Sequence, residues 1–337
     1  MVRAKLGART TRSPSRRHSL SVNRSLISSS LSSAIRSHLG NMRIVSLVPH
    51  ATELLFALGL GGDVVAVTHE CDFPSEARRR QQITRDVLPA GLSAGEIDAA
   101  VRERTAQGRA IYELDEPTLA QLEPDLIVTQ ALCAVCAVSY DDVVRVAERI
   151  PSMPRVISLD PHTIGEVMGD IRTIAQATGA RDAALDLVTR QRKRIDDVRR
   201  AVKGRPRPAV AALEWLDPVF VAGHWTPQLV DLAGGEDVLG FPGEHSEESS
   251  WDAVAAARPE VVVVMPCGYD GPRALEEAER YRDRLAELGA RRIVAVDAAA
   301  YFSRPGPRLV DGLELLAHVM HPDAVPAAPA AVYEVEV

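Results

Sequence analysis

No apolar stretch in this 337-residue chain approaches the roughly 18 residues that a membrane-spanning helix needs. The Val261–Met265 run is by its length a buried strand. Cysteine is scarce: Cys71, Cys133, Cys136 and Cys267 are too few to staple a chain of this size, which excludes a disulfide scaffold. None of them precedes residue 71, so a lipid-anchored lipoprotein start is not expected. Acidic residues are missing from positions 1–41, where eight of the 39 Lys and Arg residues lie. Residues 42–337 therefore carry 31 basic against 46 acidic residues, a net of −15. A body that acidic repels phosphate backbones and has no basic stripe, which argues against nucleic acid as a partner. Signatures of a defined reaction are also lacking: no Ser-His-Asp order, phosphate loop or paired-histidine helix motif is present.

What is there is the balance of a globular protein, 46% hydrophobic and 25% charged, with a length suited to two domains. Residues 1–41 hold eleven serines and no sustained hydrophobic periodicity. Such a segment cannot bury enough apolar surface to offset its ordering entropy, which predicts disorder. Arg16-Arg17 could open a twin-arginine export signal, but the stretch from Leu20 to Ile35 is diluted by serine and has no small-residue cleavage site. An Arg- and Ser-rich leader also resembles an organelle transit peptide. The preferred reading starts ordered structure at Met42 and places the protein in the cytoplasm, with twin-arginine export as the alternative.

From Met42 onward, short β-rich runs alternate with helical patterns, which predicts α/β architecture with parallel sheets. Predicted strands are Arg43–Leu47, Val64–Thr68, Leu126–Thr129 and Val156–Leu159, then Ala209–Leu213, Val219–Val221, Val261–Met265 and Ile293–Val296. Thr52 is expected to cap a helix ending at Gly59, and Ser93-x-x-Glu96 forms a capping box. After a break at Gly179, Ala184, Leu187, Val188, Gln191, Ile195, Val198 and Val202 fall on one helical face. A helix over 182–203 spans on the order of 30 Å and can bridge two lobes rigidly. The expected organisation is a leader at 1–41, an N-terminal lobe at 42–178, a linking helix at 179–204, a C-terminal lobe at 205–322 and a loose Ala/Pro tail at 323–337.

Chemistry-bearing residues gather at the carboxyl ends of these strands: His50, the His69–Asp72 run, Cys133 and Cys136, Asp160 and His162, Glu214 and Trp215, Cys267, and Tyr301–Arg304. Ligands of open parallel sheets bind outside those ends, and both halves contribute, so the site is expected between the lobes. Cys133-x-x-Cys136, joined by Cys71 and Cys267, could hold zinc or iron; the competing reading is small buried residues leading a helix at 139–150. Within His69-Glu70-Cys71-Asp72, chain neighbours face opposite sides, so at most two could meet one metal. Trp215 and Trp225 are expected as cleft walls and Trp251 as packing, while His245 lies in an acidic loop and is expected in solvent.

The stretch RIVSLVPHATE, Arg43–Glu53, resembles the opening strand and loop of periplasmic binding proteins for cobalamin and ferric siderophores. Asp72-Phe73-Pro74 is similar to the Asp-Tyr-Pro turn of the cobalamin branch, and FVAGHWTPQLVDLAGGEDVL, Phe220–Leu239, to the segment through that family's Gly-Gly-Glu turn. Trp251–Gly268 and Tyr301–Leu316 resemble its closing motifs, so the likeness covers about residues 42–320. It implies two Rossmann-like lobes joined by a single long α-helix, a ligand cleft between them and limited hinge movement. It further implies a corrin ring held by aromatic and apolar contacts from Pro49, His50, Asp72, Phe73, Trp215, Gly223, His224, Trp225, Tyr301, Phe302 and Arg304. His224, and less so His245, is a candidate axial ligand to cobalt. Three departures bear on role: the expected lack of the export signal that extracytoplasmic members need, an insertion at roughly Ser93–Tyr112, and the cysteines.

Three functions follow. The first is a non-catalytic corrinoid-binding protein, a monomer with an ABC permease as possible partner or a cytoplasmic relative. The second is a metal- or thiol-dependent enzyme using Cys71, Cys133, Cys136 and His69. The third is a siderophore-binding protein, which the acidic body disfavours because anionic chelates call for basic clusters.

Overall fold

The structure, a computed structural model, describes residues 42–130, 140–326 and 330–337. Cys133, Cys136 and the Arg/Ser-rich leader lie outside the described residues.

The N-terminal lobe is built on strands β1 (Ile44–Ser46), β2 (Val64–Val67), β3 (Gln81–Gln82), β4 (Thr84–Asp86), β5 (Tyr112–Leu114), β6 (Leu126–Thr129) and β7 (Arg155–Ser158). Its main sheet runs β3-β2-β1-β6-β7 with every pair parallel, and β4 and β5 form a separate antiparallel pair. Side chains alternate between the faces of a strand. Ile44, Leu126 and Val128 accordingly enter one hydrophobic cluster while Val45 and Ile127 enter another. Both faces are covered, which is why these strands read as unbroken apolar runs.

The C-terminal lobe contains β8 (Ala209–Leu216), β9 (Val219–Val221), β10 (Glu236–Asp237), β11 (Glu247–Glu248), β12 (Val261–Val264), β13 (Arg292–Val296) and β14 (Val332–Glu334). The order is β11-β9-β8-β12-β13-β14, with β10 on β8. Here β8, β12 and β13 are parallel, whereas β9 and β14 run antiparallel to their neighbours, so the sheet is mixed. The loose-tail expectation is corrected at this point. Residues Val332–Glu334 pair with β13, whose open backbone edge offers unpaired donors and acceptors. Tyr333 packs so closely on Gly271 that a Cβ there would sit 2.2 Å from its ring.

The lobes are joined by the helix Arg181–Val202, 22 residues and about 33 Å long. Ala184, Leu187 and Val188 belong to the N-terminal core, Val198 and Val202 to the C-terminal core, and Ile195 packs against both. Gln191 lies between these sets, its amide donating to the Pro307 carbonyl at 3.1 Å. Arg194 binds Asp311 and Glu314 of the helix Leu309–Met320. The exchange is reciprocal: Val310 enters the N-terminal core and Val167 the C-terminal one.

The predicted capping box is present, with Ser93 and Glu96 opening the helix Ala94–Ala106. Thr52 is not a cap. The first helix is Pro49–Ala57, because proline suits a first helical turn whose N–H has no intrahelical partner. The Thr52 hydroxyl instead donates to the Ser46 hydroxyl at 2.8 Å and contacts the Cys71 sulfur at 3.0 Å.

Candidate functional site

Two groups of polar side chains occupy the seam between the lobes. The first begins with Pro49, whose helix starts directly after β1 and points His50 and Glu53 inward. Glu53 is 3% exposed. Arg308, at the start of the helix Leu309–Met320, donates to both of its carboxylate oxygens, Nε to Oε2 at 3.0 Å. Arg304 lies 3.7 Å from the same carboxylate, pairs with Asp72 and donates to the Glu70 carbonyl at 3.1 Å. Burial pushes the Glu53 carboxyl up, and the two guanidiniums oppose that. His50 is held as neutral imidazole, its pKa lowered to about 3 by burial and then by Arg304. Its Nε2 has no hydrogen-bond partner. The rigid Arg304–Arg308 turn comes close because Gly306 has no side chain; a Cβ would meet Glu53 Oε2 at 3.2 Å.

Around these charges stand aromatic groups. Phe73 is 45% exposed, and the Arg308 guanidinium lies 4.2 Å from its ring centre and 5.8 Å from that of Tyr301. Pro49, His50, Asp72, Phe73, Tyr301 and Arg304, predicted from three separated stretches, thus meet at one place. Phe302 and Trp225 lie behind them in the C-terminal core, and the Trp225 indole donates to the Phe302 carbonyl at 2.8 Å. That bond steadies the loop that presents Tyr301.

The second group lies beyond β8 and β9. Gly223 is required there: a Cβ would lie 2.5 Å from the backbone of His245 and Ser246. Ser246 donates to Glu214 at 2.5 Å, and burial raises the Glu214 pKa to about 7. Trp215 meets Tyr269 edge-on at 5.3 Å, with its buried indole nitrogen unpartnered. His224 Nε2 lies 3.2 Å from His245 Nδ1, and His162, from the loop after β7, completes a triad in which one ring nitrogen of each imidazole lies within 4.8 Å of one from each of the others. His224 is held down to about 4 by burial and by the other two imidazoles. His245, expected in open solvent, is exposed but has these partners.

Among the described residues, a metal at the cysteines finds no support. Cys71 is buried in the N-terminal core, with Thr52 and Thr68 hydroxyls at 3.0 and 3.4 Å, and burial raises its thiol pKa. A protonated buried thiol is inert. Cys267 is exposed on the other lobe.

The sequence reading missed Glu53 and Arg308 as partners and did not bring His162 to His245. The signal for Glu53 was a lone carboxylate amid the apolar residues from Val45 to Leu58. The histidines carried none, because three sites 62 and 21 residues apart share no motif.

A two-lobed α/β body on one long helix, with a polar seam at the strand ends, matches a known family model: that of the periplasmic binding proteins, over residues 44–299. The chain belongs to that family. An uncharacterized ABC transporter substrate-binding lipoprotein of Bacillus subtilis is 24% identical over 297 residues, 83% of this chain and 80% of that protein. A vitamin B12-binding protein of Vibrio cholerae is 23% identical over 277 residues, 81% of this chain and 86% of the relative. Among solved structures, a periplasmic heme binding protein of Pseudomonas aeruginosa superposes with TM-score 0.66 at 20% identity, covering 88% of this chain and 98% of that one. The periplasmic vitamin B12 binding protein of Vibrio cholerae gives 0.60 at 20% identity, covering 82% and 94%.

The cytoplasmic expectation is thereby corrected: the relatives are periplasmic proteins and a lipoprotein, an extracytoplasmic group. The cytoplasmic reading rested on the weak export pattern before Met42. Translocation depends on a short leader, and the folded body carries no imprint of it.

Proposed function

We propose that this periplasmic binding protein is the substrate-binding component of an ABC importer, working outside the cytoplasm without catalysis, and that its ligand is a corrinoid. The observation that carries this is the meeting of Phe73 and Tyr301 over a charge-balanced pair of arginines. Arg308 is taken up by Glu53, and Arg304 by Asp72 and Glu53. The patch therefore offers little free positive charge to a dianionic haem or an anionic siderophore chelate. It suits a macrocycle whose rim carries neutral amides: aromatic rings supply contact area, and His50 and the arginines supply orienting hydrogen bonds. The sequence relatives named as vitamin B12-binding proteins point the same way.

Titration with cyanocobalamin, cobinamide and hemin, followed by absorbance and calorimetry, tests the reading. Saturable corrinoid binding weakened at least about tenfold by Phe73→Ala or Tyr301→Ala supports it. Tight hemin binding with no response to either corrinoid overturns it.

A further inference from the structure

We propose that His162, His224 and His245 form a site for one first-row divalent transition-metal ion, with zinc as the reference, whose ligands come from both lobes. The site goes beyond the corrinoid reading and does not depend on it.

The geometry is close to what such an ion requires. Zinc–imidazole bonds of ~2.0–2.1 Å in a tetrahedral arrangement place ligand nitrogens about 3.3–3.4 Å apart. His224 Nε2 and His245 Nδ1 are already 3.2 Å apart. One nitrogen of His162 lies within 4.8 Å of one from each of the other two imidazoles, so at most about 1.5 Å of side-chain adjustment would bring it to that spacing. Neutral imidazoles suit zinc, copper and nickel and suit calcium and magnesium poorly.

The backbone around the triad is laced together. The His224 N–H donates to the Glu244 carbonyl at 2.5 Å, the Gly243 N–H to the His224 carbonyl at 2.9 Å, and the Gly223 N–H to the Ser246 hydroxyl at 3.1 Å. His224 itself has φ of 51°, a left-handed conformation that costs a non-glycine residue on the order of 1 kcal/mol. The loops therefore hold two imidazoles face to edge despite a backbone cost. On the other lobe, the His162 N–H donates to Glu166 at 2.6 Å, in the capping box of the helix Ile164–Thr178. Close by, the Ile164 N–H donates to Gln228 of the C-terminal lobe at 2.9 Å, so the lobes touch beside the triad. His245 is exposed, which gives an ion a route in and leaves its fourth position to water. Because His162 belongs to one lobe and the other two to its partner lobe, a bound ion stabilises this arrangement of the lobes by mass action.

The test uses the full chain stripped with a chelator, titrated with cobalt(II) and back-titrated with zinc. The expected result is one equivalent of cobalt with visible ligand-field bands, no thiolate charge-transfer band, and displacement by zinc. His245→Ala, a change at an exposed position, should weaken binding by at least the roughly 10–100-fold that loss of an outer hydrogen-bond partner costs. His162→Ala should do the same, while Cys133→Ser with Cys136→Ser leaves affinity unchanged. Zinc should raise the thermal midpoint of the parent and leave that of His245→Ala where it was. No saturable cobalt binding at micromolar concentration, retained binding in the triple histidine variant, or loss in the double cysteine variant overturns the site. Corrinoid titrations on the stripped protein report on the other proposal separately.

Discussion

Arg308 grips Glu53 through two guanidinium nitrogens, joining the first turn of the last long helix to the helix that follows the first strand. The pair spans 255 positions of sequence and closes the seam between the lobes. Removing one partner of a buried pair leaves the other charge uncompensated. Glu53→Ala is expected to cost about 3–5 kcal/mol, measured by urea unfolding. A loss within the error of the measurement would show that water reaches the seam freely.

The packing of the loop at residues 244–246 over Gly223 gives a second expectation. A Cβ at this position meets backbone on three sides, His245, Ser246 and Glu244, so no side chain can swing away. Gly223→Ala is expected to destabilise by about 1–3 kcal/mol and to shift the His224 and His245 imidazole resonances in NMR spectra. Unchanged spectra would mean the loop moves as a unit.

Glu214 makes stability depend on pH. Its folded pKa of about 7 lies above the ordinary glutamate value of 4.5, with burial as the main cause. Below pH 4.5 both states hold the proton; as pH rises toward 7 the unfolded chain releases it first. Stability from this group therefore falls between pH 4.5 and 7, by roughly 2 kcal/mol after a discount for its partial exposure. Glu214→Gln should flatten that part of the stability profile. His50 works in the opposite sense, since burial lowers its folded pKa to about 3 and its neutral form favours folding as pH rises toward 6.5. A Glu214→Gln profile parallel to that of the parent would reject the assignment.

Ile195 packs against both hydrophobic cores at the middle of the bridging helix. Truncating it loosens each lobe's hold on the other. Ile195→Ala is expected to cost about 1–3 kcal/mol, below the range for a fully buried isoleucine, while keeping a single unfolding transition. Two resolved transitions by calorimetry would show that the lobes unfold independently.

Much of this architecture was legible in the chain. Strands β6 and β9 stand within the bounds their patterning predicts. The one-sided apolar stripe from Ala184 to Val202 marks the bridging helix, because local periodicity records which face will be buried. Ser93 and Glu96 announced a helix start by chemistry confined to four residues. The tail was misread because an edge strand of three residues takes its order from β13, a partner far away in sequence.

The local signals of the chain determined the alternation of elements, the lobes and the strand ends from which polar residues project. Only the tertiary structure decided which of those residues meet: Arg308 with Glu53, Arg304 with Asp72, and His162 with His224 and His245. The physical reason is range. Hydrophobic period and capping act over a few residues, whereas a pairing across the seam depends on how two separately folded cores dock along one helix.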